Sequence, residues 1–171
     1  MEDMIYCQRD IPKDQLRYGL RSSAATGCGW IATFNALHIL GDHAEPEELI
    51  RFYEHQLPLI HGNLGTTILA PAAYFKKRGY QIDWTARYDR FDQMAKDSDV
   101  CVLFYRWRDK WRIGAHFVAL HTTQDGVVAY NTYLNSKGPD RYGRSLSEFL
   151  KGKKYFGAVL MGIRKPEREK K

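Results

Sequence analysis

Apolar residues in the first half of the chain recur at helical spacing. Ile31, Phe34, Leu37 and Leu40 fall three apart and Trp30 and Phe34 four apart, which predicts a helix opening at Cys28 and running to about Leu40. Gly41 then supplies the residue type that most readily takes the left-handed conformation beyond a helix end. Glu45-Pro46-Glu47-Glu48 starts a second helix, with proline and acids in the first turn and Leu49, Ile50, Phe52 and Tyr53 as its apolar positions. A loop through Pro58, His61, Gly62, Asn63 and Gly65 leads to a third helix, capped by Thr66 or Thr67, carrying Pro71 in its first turn and ending at Arg78-Gly79.

From residue 80 the pattern changes. Tyr80–Trp84 alternates as a strand does, and Phe91–Lys96 reads as a short helix. Val100–Tyr105 is a nearly continuous apolar run, the mark of a central strand covered on both faces, with Cys101 as core packing. Arg106–Ile113 is polar with two tryptophans, Trp107 and Trp111, and is expected to be a hairpin loop or the rim of a site. Strands follow at Ala115–His121 and Val127–Asn131 around an Asp125-Gly126 turn signal. Asn135–Gly143 reads as a loop. Ser145-Leu146-Ser147-Glu148 is a capping box for a short helix, and Tyr155–Ile163 is a last strand. Residues 1–20 read as an arm packing back on the body. Helices first and mostly antiparallel strands afterwards place the chain in the α+β class, as a single domain spanning residues 1–171.

Composition narrows the function classes. At 171 residues, 44% hydrophobic and 27% charged, the chain has the make-up of a soluble globular domain with a sizeable core. It has no apolar run of membrane-spanning length, and the acidic start lacks a signal-peptide plan, so a cytoplasmic location is expected. The formal charge of +6 owes much to Lys151, Lys153, Lys154, Arg164, Lys165, Arg168, Lys170 and Lys171. With no nucleic-acid-binding motif beside it, this reads as a solvated face and a basic tail over 165–171, and neither a nucleic acid nor a membrane is expected as partner. Three scattered cysteines make neither a disulfide framework nor a zinc pattern; no metal or cofactor is expected.

Chemistry concentrates in Gly27-Cys28-Gly29-Trp30. A thiol on the first turn of a helix meets unpaired N–H groups and the positive end of the helix dipole, both of which favour thiolate. The flanking glycines permit the close approach a carbonyl and an oxyanion site need. The competing reading is a small buried cysteine in a packed helix. A nucleophilic thiol needs a base and the base an orienting group. His116 and Asn131 meet this by parity. An Asp125-Gly126 turn pairs 116 with 135 and a wider loop pairs it with 131, and in either register both side chains leave the same face. His121, five residues on, faces the other way, and His38 reads as a helix-face residue beside Phe34.

Three segments together resemble the papain-like cysteine peptidases, most closely the compact bacterial branch that removes bacteriocin leaders after double glycine. They are Gly27-Cys28-Gly29-Trp30-Ile31-Ala32, then Gly65-Thr66-Thr67 through Phe75-Lys76-Lys77-Arg78-Gly79-Tyr80, and Gly114-Ala115-His116-Phe117-Val118-Ala119-Leu120 with Tyr130-Asn131. The resemblance implies a nucleophile helix packed with others on a mostly antiparallel sheet. It implies a Cys28–His116–Asn131 triad working through a thioester, and a peptide or protein substrate held near Gly27, Gly29, Trp30, Gly114 and Ala115. The chain departs from the pattern twice. The glutamine usual about six residues before the nucleophile, an oxyanion donor, is replaced by Ser22-Ser23, which leaves Ser22, Ser23 or Gln15 as candidates. Gln15 and Gln8 reach the site only if the arm folds back. The usual Asp-Pro third position is Asn131-Thr132, the papain-like choice. An acyltransferase using the same triad, and an inactive papain-like domain that binds a peptide or protein, are the alternatives.

Overall fold

The computed structural model describes residues 4–56, 66–108, 113–153 and 155–166. A short hairpin, β1 (Arg17–Tyr18) and β2 (Arg21–Ser22), and a one-turn helix α1 (Ser23–Thr26) precede the long helix α2 (Cys28–Leu40). Next come α3 (Pro46–Glu54), α4 (Ala70–Lys77), β3 (Gln81–Thr85) and α5 (Phe91–Asp97). The remainder is β4 (Val100–Arg108), β5 (Ile113–Thr123), β6 (Gly126–Tyr130), β7 (Asp140–Arg141), α6 (Leu146–Gly152) and β8 (Phe156–Arg164). The strands from β3 on form one antiparallel sheet in the order β3-β8-β4-β5-β6-β7. The chain is α+β, with its N-terminal helices packed on a largely antiparallel sheet.

Helix α2 is apolar on all sides, and such a helix must be covered on all sides. From Gly29 to Leu37 every residue is buried. Its Phe34 and Leu37 share a core with Val102, Phe117, Ala119 and Met161 of the sheet and with Leu49, Tyr53 and Phe75 of α3 and α4. Gly41 ends it at φ 70°, the left-handed stop the sequence predicts. The alternate residues of β4 and β5 (Cys101, Leu103, Val118, Leu120) make a second core with Phe91 and Ala95 of α5 and with Leu146 and Leu150 of α6. The sheet is therefore covered on both faces, as the unbroken run Val100–Tyr105 requires. Ser145 Oγ accepts the Glu148 N–H at 3.2 Å, the predicted cap of α6, and Asp92 of α5 reinforces that end by accepting from the Leu146 N–H at 2.6 Å.

Several expectations shift. The third helix starts at Ala70 rather than behind Thr66 or Thr67, because residues 68 and 69 form a turn first; Pro71 still falls in its opening turn. Arg106–Arg108 are strand and not loop, paired with Ala115–Ile113 across β4–β5. The expected loop through Pro58, His61, Gly62, Asn63 and Gly65 lies outside the described residues, as do Trp111, Lys154 and most of the basic tail.

The arm is the least predictable element and the best anchored. Buried Asn35 on α2 accepts the Ile5 N–H at 2.9 Å and donates to the Ile5 carbonyl at 2.8 Å. One side-chain amide thus does for the arm what a neighbouring strand would do. Asn35→Ala leaves a buried donor and acceptor unpaired and is expected to cost about 2–4 kcal/mol. Urea unfolding measures this, and limited proteolysis before Ile11 is expected to accelerate more than cleavage elsewhere.

Candidate active site

Strand β6 stops at Tyr130, opposite Ala119. From Phe117 back to Ile113, β5 therefore has β4 on one side and no β6 on the other. The N-terminus of α2, the helix α1 and the arm close on this notch. The Phe117 main-chain N–H lies near the Cys28 sulfur and favours thiolate, with lesser help from the N–H groups of Gly29 and Cys28 at the start of α2. The sulfur thus lies near the His116–Phe117 peptide. A cleft of about 650 Å³ is lined by Gln8 from the arm, Ala25 from α1, Ala115 and His116 from β5, and Asn131 beyond β6; Cys28 is not among its lining residues.

The hairpin turn sets how His116 and Asn131 meet. Thr123 pairs with Gly126, so the two loop residues are Gln124 and Asp125. Neither register considered from the sequence is adopted. Asn131 is not in the strand: it is the one described non-glycine residue at positive φ, 58°, a left-handed position that asparagine tolerates better than most. The turn aims its carbonyl at the imidazole, with His116 Nε2 2.6 Å from Asn131 O. A carbonyl only accepts, so Nε2 carries the proton and the Nδ1 lone pair is left for a second partner. The expected contact between residues 116 and 131 exists, but the main chain makes it rather than the side-chain amide.

That amide is used elsewhere. Asn131 Oδ1 accepts the Gln8 N–H at 2.8 Å, and Asn131 Nδ2 donates to Gln8 Oε1 at 3.4 Å. Gln8 Nε2 donates to Ala24 O at 3.1 Å. The Gln8 carboxamide is buried with its orientation fixed, and one of its two N–H bonds is accounted for. Gln8 is the residue the sequence pattern undervalued: it lies well before the cysteine, outside the local spacing, and reaches the cleft because Asn35 and Asn131 hold the arm. The turn after Asn131 is locked in its own right: Ser136 Oγ donates to Asp140 Oδ2 at 2.8 Å and Thr132 Oγ1 donates to the same oxygen.

The other candidates are placed differently. Exposed Gln15 borders a separate groove with Asp10, Pro12 and Lys137. Ser23 is fully buried and accepts the Trp30 indole N–H at 3.0 Å. Trp30 is likewise fully buried, so it is core and not a substrate wall, because so large an apolar ring on α2 has only packed neighbours to meet. Ser22 ends β2 and precedes α1. Gly27, Gly29 and Gly114 sit where an added Cβ would collide with Ser23 and Trp30, with Thr66 and with Trp107 respectively; their smallness serves packing. Ala115 does line the cleft, and so does Trp107.

Electrostatics depart from the helix-dipole expectation. Burial pushes the Cys28 thiol above its ordinary value, despite the three N–H groups around the sulfur. Burial likewise holds His116 below 6.5, only partly offset by the Asn131 carbonyl. Both groups are neutral at pH 7, and no hydrogen bond joins the sulfur to the ring in this structure. A dipole is worth about 0.3–1 kcal/mol at a helix end, less than the penalty of desolvating a thiolate. Among the described residues no cluster of three or more His, Cys, Asp or Glu side chains is placed to hold a metal ion.

No protein-family model and no curated protein matches the sequence. Among solved structures the chain is similar to the peptidase domain of Streptococcus ComA, a bi-functional ABC transporter involved in quorum sensing. The likeness has a TM-score of 0.52 at 12% identity and covers 81% of this chain and 91% of that one. At that identity it shows a shared fold, the coarse papain-like architecture.

Two outcomes follow from this geometry. Asn131→Ala is expected to lose about 2–3 kcal/mol in urea unfolding, through left-handed strain and the unpaired Gln8 N–H, with Asn131→Gly recovering the strain component. The depressed His116, joined by His121, which burial also lowers, makes stability pH-dependent. The unfolded chain takes up protons as pH falls through 6.5 while the folded one does not. Stability is thus full above pH 6.5 and declines below it, by at most about 1.4 kcal/mol per pH unit for each histidine. Denaturation at half-unit steps from pH 7.5 to 5 measures the slope, and His116→Gln is expected to flatten it.

Proposed function

We propose that the protein is a papain-like cysteine hydrolase, most simply a peptidase, with Cys28 as nucleophile and His116 as base. The observation that carries this reading is Cys28 at the start of α2, its sulfur near the main-chain N–H of Phe117, the residue that follows His116, whose Nε2–H is held by the Asn131 carbonyl. That tautomer leaves Nδ1 as the acceptor a thiol proton requires.

In the first step Nδ1 takes the Cys28 proton as the sulfur attacks the substrate carbonyl carbon. The carbonyl electron pair moves to oxygen. The free N–H of the Gln8 carboxamide and the main-chain N–H of Cys28 are the donors for that oxyanion. Collapse breaks the carbon–nitrogen bond, the imidazolium gives its proton to the leaving amine, and a thioester remains. Water, deprotonated by His116, attacks the thioester and frees the acid and the thiol. An acceptor amine or alcohol in place of water makes the same site an acyltransferase. Asn131 acts at two points, its carbonyl on His116 and its side chain on Gln8. The three cysteines are unpaired, as suits a cytoplasmic setting that keeps thiols reduced.

A second reading has its own support. The neutral, unbonded Cys28–His116 pair and the raised thiol are what a catalytically silent peptide-binding domain would have.

Covalent capture by an electrophilic peptide, followed beside iodoacetamide alkylation from pH 5 to 10, separates the two readings. In the hydrolase, unliganded Cys28 reacts slowly below pH 8 and accelerates towards pH 10, and an aldehyde or nitrile peptide forms a covalent adduct at neutral pH that His116→Ala abolishes. Gln8→Ala lowers the adduct rate about 10²- to 10³-fold. A Cys28 that forms no adduct with any electrophilic peptide, or forms it equally well without His116, overturns the hydrolase in favour of the binding domain.

A further inference from the structure

Besides His116 the cleft is walled by Tyr105, Trp107, Tyr133 and Tyr155, and Arg108 and Lys153 also line it. No aspartate or glutamate lines it among the described residues. Asp140, an acid outside the lining, accepts from Thr132 and Ser136. Of the seven large apolar side chains left exposed among the described residues, Tyr133 and Leu134 line this cleft, whereas Ile113 and Phe156, opposite Arg108 and Arg106 in register, do not. A cleft with an aromatic wall, two lining cations and no lining acid among the described residues selects apolar partners of negative charge.

We infer that this cleft takes an acidic, apolar peptide segment, its aromatic or aliphatic side chains laid on the tyrosine and tryptophan wall and its carboxylates met by Arg108 and Lys153. The inference rests on the hydrolase reading for the identity of the site and names the substrate class that site selects. Neutral tyrosine hydroxyls suit it further. Burial raises Tyr105, Tyr133 and Tyr155, so at pH 7 they bring donors and no negative charge to the cleft. A basic segment would meet two cations and, among the described lining residues, no counter-charge. A polar one would leave the exposed apolar side chains uncovered.

The test uses the full chain with Cys28→Ala, so that only binding is read. Three hexapeptides, acetyl-Glu-Phe-Glu-Leu-Ala-Ala-amide and its Glu-to-Gln and Glu-to-Lys counterparts, are titrated into ¹⁵N-labelled protein at 50 mM and 300 mM salt. The acidic peptide is expected to shift the Trp107 indole and the Tyr133 and Lys153 amides. It should bind about tenfold more tightly than the lysine peptide at low salt, with the glutamine peptide between them and the spread narrowing at high salt. Arg108→Glu with Lys153→Glu is expected to reverse the order while leaving signals away from the cleft in place. Equal binding of the three peptides, shifts confined to another surface, or an order that survives the charge reversal overturns the inference. So does a single-stranded oligonucleotide that outcompetes the acidic peptide for the same residues. Failure of the hydrolase reading appears separately, as a Cys28 inert to electrophilic peptides in the unsubstituted protein. His116-dependent adducts without any charge preference sink the substrate class alone.

Discussion

Burial of α2 on every side is the constraint from which the rest follows. A thirteen-residue helix with Trp30, Ile31, Phe34 and Leu37 buried on one side and Ala32, Asn35 and Ala36 buried on the other has no face to give to water. The sheet covers one side, and α3, α4 and the N-terminal arm cover the others. The arm buries Ile5, Ile11, Leu16 and Tyr18 in the same core, and Asn35 adds two hydrogen bonds to it from inside the helix. This brings Gln8 to the first turn of α2, where Cys28 begins the helix.

The same burial tunes the chemistry. A thiol at an exposed helix start would be drawn towards thiolate by the dipole and by free N–H groups. Here desolvation acts on the sulfur and on the imidazole together and drives both to their neutral forms.

Asn131 divides its work between main chain and side chain. Its left-handed backbone lets the chain leave β6 with the carbonyl facing His116, and its side chain, freed from the imidazole, ties down the arm at Gln8. Either task alone could be met by other residues. Asparagine suits both, since it tolerates positive φ and carries one acceptor and two donors. The hydroxyls of Thr132 and Ser136 gather on Asp140 and keep the turn in place.

Local pattern determined most of the elements. The helical spacing of Ile31, Phe34 and Leu37 with Gly41 behind them, the unbroken Val100–Tyr105 run, the strand at His116 and the Ser145 cap of α6 all depend on interactions within a few residues, which a linear sequence records directly. The order of cysteine, histidine and asparagine, and the coarse α+β architecture, were legible for the same reason. Tertiary structure decided what depends on long-range contact. The covering of the second sheet face by α5 and α6, the return of the arm, the placement of Gln8 in the cleft and of Gln15 on a separate groove, and the burial of Trp30 each join residues far apart in the chain. The hairpin register was open because a shift of two residues keeps every side chain on its face, so alternation cannot distinguish the alternatives. The sign of the Cys28 displacement was hidden for a related reason: dipole and N–H groups are local and visible in sequence, whereas desolvation is set by everything that packs around the sulfur.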